Sequence, residues 1–178
     1  MRGEKGFSII ELLIVVAIVL IITTIAVPNL LRSKMAANES SAAASCRTLA
    51  TANATYNSSY QVGYAGSLGA LGPPAAGTAA SSANANIIDS VLAGGTGGAA
   101  MSSTQKGYSF TYASGPAGAA PTMTAPNLTF SVLAVPVART TGTSTFCVDQ
   151  SSVVKKDPAG STSGPAAGGC LTFAGPPM

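Results

Sequence analysis

The sequence predicts an α+β fold in which a long N-terminal α-helical spine packs on a small C-terminal antiparallel β-sheet. Three observations carry this. From Phe7 to Val27 the chain is apolar except for Ser8, Glu11, Thr23 and Thr24, and it passes directly into apolar residues at helical spacing. A middle region is dense in Gly, Ala, Ser and Pro. Between 107 and 156 lie short segments enriched in β-branched and aromatic residues, separated by turn residues. The length of 178 residues suits one ordinary domain with a segment to spare.

Each element follows in order. Residues 1–6, "MRGEKG", form a short charged leader. Residues 7–28 make a helix whose apolar stretch of roughly 21 residues spans about 30 Å, the thickness of a bilayer core. An ordinary secretory signal would be followed by a small-residue cleavage site, but "IAVPNLLRSKM" continues into a second helical pattern, so the apolar segment stays on the mature chain. Arg2 and Lys5 favour a cytoplasmic N-terminus, against a weaker pull from Arg32 and Lys34. Pro28 cannot bond the carbonyl of Thr24, so it kinks or loosens the helix without ending it. Residues 29–60 continue as an amphipathic helix, with Leu31, Met35, Ala42, Cys46, Leu49, Tyr56 and Tyr60 on one stripe. Residues 61–106 read as a variable loop, with a short helix in "SSANANIIDSVLAGG" capped by Ser82 or Asn84 and stopped at Gly94. Residues 107–156 hold three or four strands, "GYSFTYA", "NLTFSVLAVPVA", "STFCVDQ" and "SSVVKK", with Pro136 at a strand edge or end. Residues 157–178 form an irregular Gly/Pro loop that needs a pin, and Cys170 is placed to be that pin.

Composition narrows function. Charged residues make up 8%, against about a quarter in ordinary soluble proteins, so the surface consists of Ser, Thr, Asn, Gly and Ala. Such a surface suits packing against copies of the same chain. The net charge of +3 is too small to point to nucleic acid as a main partner. The chain has no His, which removes Ser-His-Asp and Cys-His nucleophile systems and the commonest metal ligand. Cys46, Cys147 and Cys170 form no CxxC pair, which leaves out a zinc ribbon or thioredoxin-like site. An exported chain would use them for a disulfide, and Cys147 and Cys170 are near enough in sequence to close a C-terminal loop. Cys46 falls on the apolar stripe and reads as a small buried hydrophobe. A bridge between Cys46 and Cys147 stays open at this point. The expectation is a non-enzyme with no cofactor and no metal.

The block "KGFSIIELLIVVAIVLIITTIAVP" poses one physical problem, a carboxylate at Glu11 inside a lipid-like run. An ionised side chain there costs several kcal/mol and marks function. This block resembles the class III signal segment of type IV pilins and of the related type II secretion pseudopilins: a basic leader ending in Gly, Phe next, Glu at the fifth mature position, an apolar helix, then Pro. The resemblance covers about a sixth of the chain. It implies that a prepilin peptidase cuts between Gly6 and Phe7 and N-methylates Phe7. It implies, too, that Glu11 pairs with the Phe7 amine of a neighbouring subunit, fixing the axial step between subunits. Many type IV pilins close a C-terminal loop with a disulfide, the role expected of Cys147 and Cys170.

The remaining candidates are weaker. Lys155 and Lys156 form a small basic patch that usually means a solvated turn. Asp149 and Asp157 lack a recognisable calcium loop. Tyr56, Tyr60 and Tyr64 read as core and interface packing rather than an electron path. The resemblance therefore implies a major pilin: an inner-membrane precursor polymerised by assembly machinery into a helical homo-oligomer at the cell surface. Such filaments serve adhesion, motility or DNA uptake, with nucleic acid only as cargo. Two alternatives stand beside it, a pseudopilin of a periplasmic pseudopilus and a single-pass anchored binding module that never polymerises.

Overall fold

The helix α1 (Ile9–Tyr60) runs for 52 residues, about 78 Å, and passes through Pro28 without a break. The computed structural model describes residues 6–116, 118, 120–160, 170 and 176–178, so leader residues 1–5 and most of the expected C-terminal loop lie outside the described residues. The first half of α1 is exposed on every side, as its all-round apolar sequence requires of a segment made for another environment. From Ala42 one face is buried, and Ala42, Cys46, Leu49 and Tyr56 of the predicted stripe stand in the core. The helix stops where Gln61 takes a left-handed conformation, φ 54°, and its N–H caps the carbonyl of Asn57.

The sheet is a five-stranded antiparallel meander, β1 (Ser102–Gln105), β2 (Tyr108–Gly115), β3 (Thr129–Pro136), β4 (Thr145–Asp149) and β5 (Lys155–Asp157), in spatial order β1-β2-β3-β4-β5. Strand alternation sorts its side chains into two faces. Tyr108, Phe110, Tyr112, Phe130, Val132, Ala134, Phe146 and Val148 join α1 in the main core. Leu133, Cys147 and Cys170 form a separate small cluster with Val135. Pro136 closes β3, where its missing N–H costs least.

The structure departs from the sequence reading at several places. The sheet extends beyond 107–156 at both ends, because the polar segment Ser102–Gln105 pairs along β2 and Asp157 pairs with Thr145. The helix expected after Ser82 or Asn84 does not form. Asp89 Oδ1 instead accepts the amides of Val91 and Leu92, each at 2.9 Å, and the single turn it caps ends at Gly94 and Gly95, both at positive φ. The helix in this region is α2 (Leu68–Leu71), capped by Ser67 Oγ on the Ala70 amide at 3.1 Å. A Cβ on Gly69 would strike the Gly98 carbonyl, so glycine is what allows α2 to lie this close to the following loop. Only Lys155 and Lys156 of "SSVVKK" are strand, because Asp149 draws Ser151 and Ser152 into a turn.

Candidate functional site

The N-terminal segment of α1 is exposed along its whole length. Gly6 is exposed, and a Cβ there would meet nothing within 4 Å, so no packing within the described structure demands glycine. Phe7 follows it, 87% exposed. Ser8 is the N-cap of α1: the Leu12 N–H donates to the Ser8 carbonyl at 3.3 Å, and Glu11 reaches back so that Oε2 accepts the Ser8 N–H at 3.0 Å. This is the Glu arm of a capping box, on the end of the helix dipole that favours an anion. Glu11 is the only charged residue between Phe7 and Leu31. The structure thus joins Glu11 to Ser8, one residue after Phe7. Its apolar helix is long and apolar enough to cross a membrane.

The head is fastened to α1 by a second carboxylate. Glu39 Oε1 accepts the Thr143 N–H at 3.0 Å, the Thr143 hydroxyl at 3.1 Å and the Ser144 N–H at 3.2 Å. Its Oε2 accepts the Ser144 hydroxyl at 3.2 Å and Lys156 Nζ at 3.1 Å. Partial burial alone would raise its pKa, but the amides of Thr143 and Ser144 and the Lys156 ammonium prevail and hold the carboxyl at about 2. Beside it, Asn38 Nδ2 donates to the Thr141 carbonyl at 3.0 Å. Higher on the helix, buried Asn53 Oδ1 accepts the Tyr112 hydroxyl at 2.7 Å and the Ala65 N–H at 3.2 Å. Burial drives the Tyr112 hydroxyl strongly upward, so it stays a donor.

A disulfide joins Cys147 of β4 to Cys170, with Cα atoms 5.9 Å apart. Cys46 is free and fully buried on the opposite side of the sheet, where desolvation pushes its thiol up to about 12. That position makes it unreactive packing.

The N-terminal block matches the family model described as the prokaryotic N-terminal methylation motif over residues 1–27. Over 39 residues, 22% of this chain, it is 51% identical to the type IV wide pilus major component PilA4 of Thermus thermophilus. The N-terminal segment is similar to that of a type IV pilin. The similarity spans 30% of that relative's length. No solved structure matches the chain. The arrangement of helical spine and antiparallel sheet is likewise pilin-like.

Within this pilin-like arrangement the weaker candidates find definite places. Lys155 and Lys156 form neither a basic patch nor a solvated turn. Adjacent strand residues point to opposite faces, so Lys156 turns to Glu39 and Lys155 donates to the Cys170 carbonyl at 3.0 Å. Asp149 and Asp157 stand four residues apart in register along β4, about 13 Å, too far to share an ion. Asp149 is occupied by Ser151 and by the Cys170 N–H, which lower its pKa against the opposing effect of burial. Tyr56 and Tyr60 pack together at 5.0 Å, and Tyr64 packs edge-on against Phe130 at 4.8 Å. Glu39 and Asn53 went unread in the sequence although both sit at stripe spacing, four residues after Met35 and Leu49.

Proposed function

We propose that this chain is a major type IV pilin, held in the inner membrane as a precursor and polymerised through α1 into a surface filament. One observation carries the reading: an apolar rod, exposed on all sides, stands clear of a finished head and holds one carboxylate near its start. An apolar face of that size requires cover, first by lipid and then by the helices of other copies. The relative's description as a major pilus component supports a pilus over a pseudopilus.

In this reading prepilin peptidase cuts between Gly6 and Phe7 and N-methylates Phe7. Gly6 serves the peptidase, since the described fold makes no use of its missing side chain. The cut creates an amine beside a helix whose Glu11 is held at the capping position by Ser8. During assembly Glu11 pairs with the Phe7 amine of a neighbouring subunit. An apolar helix can slide past another at little cost, whereas an unpaired charge in that setting costs several kcal/mol, so the pair selects the axial register. Pro28 gives the helix local freedom between its lipid-like half and the head. The Cys147–Cys170 bridge closes the outer part of the head.

The test is assembly of a Glu11→Val variant, read by electron microscopy and by mass spectrometry of the N-terminal peptide. The variant should insert and be cut, and filament yield should fall about tenfold or more. Native filaments should begin at a methylated Phe7. Normal filament yield from Glu11→Val would sink the charge-pair role, and filaments of uncut chain would overturn the processing step.

A further inference from the structure

Residue 170 is held at three points, and only one of them is covalent. Its sulfur joins Cys147. Its N–H donates to Asp149 Oδ2 at 2.9 Å, and its carbonyl accepts from Lys155 Nζ at 3.0 Å. Cys147 and Lys155 are register partners across β4 and β5, and Asp149 lies two residues along β4 from Cys147, so the three anchors share one face of the sheet. Gripping both the N–H and the C=O of one residue fixes its main chain and leaves the side-chain torsion to aim the sulfur. Farther along, the Lys156 N–H donates to the Pro176 carbonyl at 3.0 Å and the Met178 N–H to the Val154 carbonyl at 2.9 Å, so the chain returns to β5 after residue 170. The third thiol, Cys46, is sealed in the core on the other side of the sheet.

We infer that Asp149 and Lys155 are positioning residues for disulfide formation, seating the main chain of Cys170 against β4 so that its thiol pairs with Cys147. The step balances as thiol–disulfide exchange with a small-molecule or protein disulfide as oxidant. One thiolate attacks the oxidant and forms a mixed disulfide, releasing the first oxidant thiol. The second cysteine then displaces the other oxidant thiol, so two protons and two electrons leave the pair and the oxidant departs as two thiols. The clamp acts on this second displacement by raising the effective concentration of one sulfur at the other.

The experiment equilibrates the full chain in detergent micelles with reduced and oxidised glutathione and maps the bridges by mass spectrometry. Asp149→Asn and Lys155→Met should each lower the equilibrium constant for closing Cys147–Cys170 by about tenfold, as expected for losing a charged hydrogen bond. Mixed glutathione adducts on Cys147 and Cys170 should rise with that loss, while Cys46 stays reduced. Lys155→Arg, which still offers donors to the Cys170 carbonyl, should restore closure. Protection of Cys46 from a maleimide in the reduced protein reports a folded head. Unchanged closure and pairing in Asp149→Asn and Lys155→Met would overturn the inference. Loss of Cys46 protection in both variants would overturn it too, because the effect would then be collapse of the head and not positioning of residue 170.

Discussion

Glu39 accepts five donors on two oxygens, four of them from the turn before β4 and one from Lys156 on β5. Its side chain is only 17% exposed, so little water competes for those contacts. A carboxyl whose pKa falls from 4.5 to about 2 on folding contributes stability above the higher value and loses it as pH drops through the lower one. Urea unfolding followed by tyrosine emission should therefore give a steady midpoint above about pH 5 that falls between pH 4.5 and 2. In Glu39→Gln the acid-induced fall should be smaller. It should not vanish, since the Asp149 carboxyl is lowered as well and titrates in the same direction. At pH 7 the same variant should cost about 1–3 kcal/mol, because a neutral amide replaces a charged acceptor facing two backbone amides and an ammonium. Equal acid sensitivity in the two proteins would remove Glu39 as the latch.

Elements were legible in proportion to how strongly their side chains were patterned. The spine and the strands β2, β3 and β4 carry apolar periodicity, and all four lie where the sequence placed them. β1 did not announce itself because Ser102–Gln105 has no apolar alternation and is a strand by virtue of pairing with β2. The missing helix near Ser82 shows the reverse, a sequence with cap and stop residues whose Asp89 satisfies local amides in a single turn. The stripe on α1 was legible except at Glu39 and Asn53, its polar members, where the sequence alone offers no partner to name. Of those partners, Thr143, Ser144, Lys156 and Tyr112 lie far away in the chain, and Ala65 lies in the irregular loop after α1. The edge of β5 was equally hidden. Residues 176–178 lie along it, and Pro176 and Pro177 offer no N–H to a further strand, so pairing stops there. Deleting residues 176–178 should free the Lys156 amide. Hydrogen exchange at Lys156 should then accelerate about tenfold, the equivalent of one hydrogen bond, while amides in β2 and β3 stay protected. Unchanged exchange at Lys156 would mean that this pairing contributes nothing to the edge.

The molecule as a whole divides its labour along α1. Above Asn38 the helix is part of a closed head, with Cys46 and Leu49 fully buried against the sheet. Below Met35 its large side chains from Phe7 to Leu31 are about half exposed or more, and the side chains of Glu11, Thr23, Thr24 and Ser33 hydrogen-bond within the helix itself. Stability of the head and capacity to assemble should therefore be separable in one chain. A version starting at residue 29 keeps Asn38, Glu39, Cys46, Asn53 and the disulfide but loses the apolar rod. Its urea-unfolding free energy should match that of the full chain in micelles to within about 0.5 kcal/mol, the range of surface changes that touch no packed contact. It should also leave the membrane fraction and run as a monomer in size-exclusion chromatography, since the large exposed apolar face has been removed. A truncated head that unfolds several kcal/mol earlier would mean that the first half of α1 supports the head. A truncated head that still forms filaments would move the polymerisation surface away from α1 and take the role of Glu11 with it.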